Sequence, residues 1–154
     1  MTPVLNEVHY YISGSGENIE ALNLELDYSL DNINRVQPRI AYYGNRFHLE
    51  GGWIIDFLQR PDLDLGLELS VATRGEDGIE GVDTALGLTG ESSYLAQNEI
   101  YYSLRYFFNE HEALVYNVGL ALPVTRNSRL TVGFGNSPWH INENYINLGV
   151  KVGL

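Results

Sequence analysis

Nine carboxylates fall on one side of successive short segments: Glu7, Glu25, Asp27, Glu50, Asp56, Asp64, Glu68, Asp83 and Glu99. Arg39, Arg74, Arg105 and Lys151 stand against them on the same side. Carboxylates gathered in this way can attract cations, pair with bases in a buried network, or act as general acids and bases. His9 and His48 share that side, and His48 lies two residues before Glu50, which suits a histidine–carboxylate base. A hydrolase would also need a nucleophile. Ser29, Ser70 and Ser103 are on the same side, but no motif ties them to either histidine. His111 and His140 fall in turns and are expected to be solvated. Glu76, Asp77, Glu80 and Asp83 carry the oxygen ligands that Ca²⁺ takes, without the spacing of a known calcium loop, so a solvated acidic loop is the expectation. The chain has no phosphate-cradling glycine loop, no zinc spacing and no nucleophile elbow. The residues therefore predict no cofactor, no metal and no enzymatic activity. The paired-network and cation-attracting readings remain.

The elements that position these groups are strands. Leu63, Leu65, Leu67, Leu69 and Val71 alternate without a break with Asp64, Gly66, Glu68 and Ser70. Strand side chains change face with every residue, so this is a strand with one apolar and one polar side. The same period recurs from Val8 to Leu154. Arg35 to Tyr43 and Arg46 to Leu58 flank Gly44-Asn45, which suits a two-residue type II′ hairpin turn. That turn sets Tyr42 against Phe47, Ile40 against Leu49 and Arg39 against Glu50, so one face is apolar and the other carries an ion pair. Glu91 to Ala96 and Glu110-His111-Glu112 read as breaks, and Asn136 to Asn144 as a loop holding Pro138 and Trp139. The pattern predicts about ten strands (eight if a weak pair is misread), no helix, and a single all-β domain over residues 1–154. Its simplest closed form is an antiparallel up-and-down barrel, which leaves no edge.

Two barrels fit: a soluble carrier of a hydrophobic ligand, apolar inside, or a membrane barrel, apolar outside. Lys151 is the only lysine, whereas a soluble β protein spends lysines on its wet faces and edges. The polar face is crowded with Gly, Ala and Ser, which suits a narrow lumen. The apolar face holds large residues and almost no charge, and a charge there would cost about 2–4 kcal/mol at the bilayer midplane. Thr73, Thr84 and Asn98 are its mild exceptions. Tyr10, Tyr42, Phe47, Trp53, Tyr106 and Phe108 lie on it as membrane-interface aromatics. The polar set then lines the lumen: Glu25, Asp27, Arg39, His48, Glu50, Asp56, Asp64, Glu68, Asp83, Glu99, Arg105 and Lys151, with Tyr11, Tyr43 and Tyr101 also projecting inward. The net charge of −11 argues against nucleic acid as a partner. There is no cysteine, and Met1-Thr2-Pro3 is expected to begin a mature chain.

The last eight residues, Asn147-Leu148-Gly149-Val150-Lys151-Val152-Gly153-Leu154, resemble the C-terminal signal of bacterial outer-membrane β-barrels. Polar, glycine and apolar residues stand at that signal's places, with Leu154 where the class usually has Phe. The resemblance implies a bacterial outer-membrane location, with the lipid bilayer and the outer-membrane assembly machinery as partners. The expected function is a non-enzymatic structural barrel or a narrow pore preferring small cations. The alternatives are the soluble carrier and a small membrane-embedded lipid-modifying enzyme, the latter marked by His9 or His48 with a serine and carboxylate at a rim. An even strand number puts both termini on the periplasmic side in this class. The stretches Gly14 to Asn18, Arg74 to Gly81 and Asn136 to Asn144 would then be extracellular, and the Glu91 to Ala96 break periplasmic.

Overall fold

The structure, a computed structural model, describes residues 2–73, 82–94, 97–108 and 113–154. The ten strands are β1 (Val4–Ser15), β2 (Asn18–Ser29), β3 (Asn34–Tyr43), β4 (Arg46–Gln59), β5 (Leu63–Thr73), β6 (Val82–Tyr94), β7 (Asn98–Phe107), β8 (Ala113–Pro123), β9 (Ser128–Ser137) and β10 (His140–Gly153). Each pairs antiparallel with its sequence neighbours, and β1 pairs β10, so the sheet is a closed up-and-down barrel of ten strands rather than eight. The terminal end of the barrel holds the first residues of β1 and the last of β10, and the far end lies opposite.

Alternation decides which face is inside. On β5, Leu67, Leu69 and Val71 are 38%, 45% and 48% exposed, while Glu68, Ser70 and Ala72 are 0%, 3% and 2%. Cross-strand partners keep the division: Leu67 faces Leu88, Glu68 faces Gly87 and Leu69 faces Leu86. The apolar side chains therefore coat the outside and the charged ones fill the inside, the reverse of a soluble carrier. Part of the interior is apolar all the same. Ala72, Ala85, Phe107, Ala113 and Val115 cluster there, and Ile54 is fully buried.

The β3–β4 register follows from its turn: Tyr42 pairs with Phe47, Ile40 with Leu49 and Arg39 with Glu50. The turn type differs from the expectation. Gly44 and Asn45 both have positive φ, 58° and 62°, which is type I′ rather than II′. Asparagine tolerates the left-handed region, and both types close a two-residue loop, so the register is the same. Two expected breaks are also shorter than the pattern suggested. β6 runs on through Glu91 to Tyr94, and Asn136 to Asn144 is mostly strand around the Pro138-Trp139 turn. Backbone pairing of Ser92 with Ile100 and Glu91 with Tyr101 overrides the weaker side-chain pattern there. The expected loop Arg74 to Gly81, with Glu76, Asp77 and Glu80, and the Glu110-His111-Glu112 turn lie outside the described residues, as do Leu95 and Ala96.

Candidate functional site: the charged lumen

Inward-facing positions on β2 to β5 and β7 bring opposite charges together. Arg39 on β3 is the hub. Its Nη2 donates to Glu68 Oε1 at 2.5 Å and to Gln37 Oε1 at 2.7 Å, and its Nε donates to Glu25 Oε2 at 3.2 Å. Its Nη1 donates to Glu50 Oε1, which also accepts from Arg105 Nη1. Arg105 Nε stands 3.8 Å from Glu68 Oε2. Two glycines make room. A Cβ on Gly52 would overlap Glu68 Oε1 and lie 3.4 Å from Arg39 Nη1, and one on Gly87 would lie 2.7 Å from Arg105 Cγ. Buried charges persist when paired, and here both arginines are shared between acids, while Glu50 Oε2, Glu68 Oε2 and Arg105 Nε are buried with no hydrogen-bond partner among the described residues.

A second cluster lies toward the terminal end. Arg35 grips Asp56 with Nε at 2.6 Å and Nη2 at 2.9 Å, and its Nη1 reaches Asp27 at 2.5 Å. Gln37 Nε2 and Asn6 Nδ2 also donate to Asp27, at 2.6 and 3.2 Å. On the opposite wall Lys151 Nζ stands 3.8 Å from both Glu7 and Glu91 and 4.3 Å from the centre of the Tyr101 ring. Arg129 Nη1 pairs with Glu99 at 2.5 Å. Asp64 lines the terminal-end cavity, and Asp83 on β6 is half-buried and makes polar interactions of its own.

Sequence reasoning missed Arg35, Glu91 and Arg129 as members of this network. Arg35 shares parity with Arg39 on one strand, which was signal enough. Glu91 falls in a stretch that reads as a break, and Arg129 stands at the start of β9, before its apolar alternation begins at Leu130.

The histidines are engaged elsewhere. His9 Nε2 lies 2.9 Å from Thr131 Oγ1, and its ring stacks on Tyr11 at 4.6 Å. His48 stacks on Trp139 at 5.1 Å and lies 6.2 Å from Tyr43. The structure does not join either to a serine and a carboxylate by any hydrogen bond among the described residues. No group of three or more His, Cys, Asp or Glu among the described residues is arranged to hold a metal. Ser13 instead donates to Asn147 at 2.6 Å and accepts from Asn23 at 2.9 Å, a neutral ladder on the far-end wall.

These clusters divide the lumen into two cavities. The far-end one, about 110 Å³, runs from the Pro138-Trp139 turn past the Arg39 cluster to Glu7 and Glu91. The terminal-end one, about 340 Å³, is walled by Asp27, Arg35, Asp56 and Asp64. They meet where both are lined by Glu7, Gln37, Thr89, Gly90 and Glu91. The junction thus carries two carboxylates, with Lys151 beside them.

Outside, Tyr42 and Phe47 pack at 5.0 Å beside the β3–β4 turn, and Tyr106 and Phe108 at 5.4 Å near the end of β7. Trp53 Nε1 donates to Asn34 Oδ1 at 3.0 Å, and Tyr10 is 48% exposed.

No family model matches the chain, and no curated protein matches it. Solved structures do match in fold. A KdgM porin aligns over 98% of this chain and 99% of its own at 11% identity and a TM-score of 0.58. A KdgM porin in complex with disordered oligogalacturonate aligns over the same shares at 13% identity and 0.58. A mutant Rh. blastica porin aligns over 87% of this chain and 44% of its own at 12% identity and 0.50. The fold of this chain, a closed antiparallel barrel that is apolar outside and charged inside, is the porin fold.

Proposed function

We propose that the chain spans a bacterial outer membrane and offers a narrow path for small cations through its lumen. The observation that carries this reading is the inversion of the barrel: Leu and Val side chains outside, and Glu68, Glu50 and Lys151 buried inside. Such a surface is stable only against hydrocarbon, and the porin fold of the neighbours supports the same placement. The outer aromatics Tyr42, Phe47, Tyr106 and Phe108 would sit at the far-end interface and Trp53 at the other. With both termini in the periplasm, the far end is extracellular. The reading is non-enzymatic. Its partners are the lipid bilayer, the outer-membrane assembly machinery and small cations.

Cation preference follows from charge that is left over. Glu50 and Glu68 are each contacted by both Arg39 and Arg105. At the junction of the two cavities Glu7 and Glu91 share the single Lys151. Excess carboxylate in a narrow passage concentrates cations and repels anions. The oligogalacturonate bound in the KdgM complex is a polyanion. The acidic lumen of this chain would repel such a solute, so the shared fold does not extend here to a shared cargo.

The test is the reversal potential of the barrel in a planar bilayer under a salt gradient. The unmodified barrel should be cation-selective with small conductance. Glu7→Gln with Glu91→Gln should weaken that preference more than Glu25→Gln, because Glu25 is paired with Arg39. Anion selectivity of the unmodified barrel would overturn this account of the lumen.

A further inference from the structure

The β9–β10 hairpin does not end at its own wall. Trp139, in its turn, donates from Nε1 to the backbone oxygen of Thr73 on β5 at 3.1 Å and stacks on His48 of β4. Around the ring of ten strands β9 and β4 stand five places apart, as do β10 and β5. The contact therefore crosses the full width of the far mouth.

The hairpin is built to bend that way. Ser137 pairs with His140 and Gly135 with Tyr145, so four residues of β10, 141–144, face the single Asn136 of β9. The surplus lengthens one side of the hairpin and tips it inward, as a bulge does. Asn136 holds the base. Its Oδ1 accepts from Tyr116 N at 2.8 Å, and its Nδ2 donates to Leu114 O at 2.9 Å, both on β8. Below the tip, Tyr145 is buried and Trp139 helps to line the far-end cavity. The Trp139 hydrogen bond and ring contact hold the tip to the opposite wall, and below the hinge Tyr145 is hydrogen-bonded to Tyr43 of β3, while a ladder holds the rest of β9 and β10.

We propose that the Pro138-Trp139 tip is a gate over the far mouth, latched by Trp139 on Thr73 and His48 and hinged at the 141–144 surplus. Release of the latch swings the tip off the mouth and opens the far-end cavity to solvent. The gate rests on the pore reading for its consequence, but not for its geometry.

The experiment separates the two. The chain has two tryptophans, so Trp53→Phe leaves Trp139 as the only tryptophan, to be excited selectively over the tyrosines, and it has no cysteine. In the Trp53→Phe barrel, acrylamide should quench Trp139 several-fold less than it quenches N-acetyltryptophanamide, and adding His48→Ala should raise that quenching. In a planar bilayer, Trp53→Phe with Trp139→Ala should conduct several-fold more than Trp53→Phe alone. His48→Cys with Trp139→Cys, bridged by a short bifunctional thiol reagent, should conduct less than the same barrel unbridged. Free quenching of Trp139 would overturn the gate. So would equal conductance of all forms in a barrel that conducts. A barrel silent in every form with Trp139 protected would uphold the closed tip and overturn the pore reading.

Discussion

Arg39 on β3 bonds Glu68 on β5 at 2.5 Å although β4 runs between their strands. Gly52 of β4 is what lets them meet, since a Cβ there would overlap the Glu68 carboxylate. Gly52→Ala should therefore destabilise the barrel by about 1–3 kcal/mol, the usual cost of overpacking. Its neighbour Gly51 faces the other way, with nothing within 4 Å of where a Cβ would stand, and Gly51→Ala should be close to neutral. Guanidinium unfolding in detergent measures both. Equal effects at the two positions would contradict the role assigned to Gly52.

The hub itself should show strong coupling. Arg39→Met strips Glu25, Glu50 and Glu68 of a shared partner and should cost about 3–5 kcal/mol, as breaking a buried ion pair does. Adding Glu50→Gln to Arg39→Met should recover part of the loss, because it removes one of the carboxylates left behind. A double-mutant cycle on unfolding free energy reads the coupling, and a purely additive result would remove Arg39 from its central place.

In the β2–β3 turn, Asp31 accepts hydrogen bonds from the backbone N–H groups of Ile33 and Asn34 and from the Asn34 side chain. These hold its carboxyl below the ordinary Asp value of 3.8. A depressed carboxyl stabilises the fold fully above the unfolded value and loses that contribution as pH falls through the folded one. The stability gap between the unmodified barrel and Asp31→Ala should be flat at neutral pH and shrink as pH drops below 3.8. Unfolding titrations across that range measure it, and a gap that widens toward acid would refute the assignment.

Orientation can be read by labelling. Leu69→Cys on the outer face should react with a lipid-soluble maleimide in vesicles and resist a charged, water-soluble one. Ser70→Cys, next along β5 but buried inside, should resist the lipid-soluble reagent. The reverse pattern would turn the barrel outside in.

Much of this architecture was legible in the residues because a strand in a one-layer barrel has only two faces. Parity alone sorts Leu67 from Glu68, and the Gly44-Asn45 loop length sets Arg39 against Glu50 whichever hairpin turn it adopts. Strand ends were less legible. Glu91 and Ser92 show no apolar alternation, yet pairing with Tyr101 and Ile100 carries β6 past them. The Trp139 contact was invisible for a different reason. It joins β10's turn to the opposite wall, and no period in a sequence encodes what lies across a ring.

The β1–β10 seam runs from Glu7 against Gly153 to Gly14 against Ile146, with Leu154 N donating to Asn6 O at 2.9 Å beyond it. Every other ladder joins strands adjacent in the chain, so each of those can form as a hairpin with little loop to close. The seam alone must bring together residues separated by nearly the whole chain, and loop-closure entropy and contact order put such contacts late in folding. The two ends of the chain are thus the slow coordinate of its assembly. A lesion in β10 that weakens the seam would lengthen the time the barrel spends as an open sheet with two bare edges, and would lower the stability of the closed barrel with it.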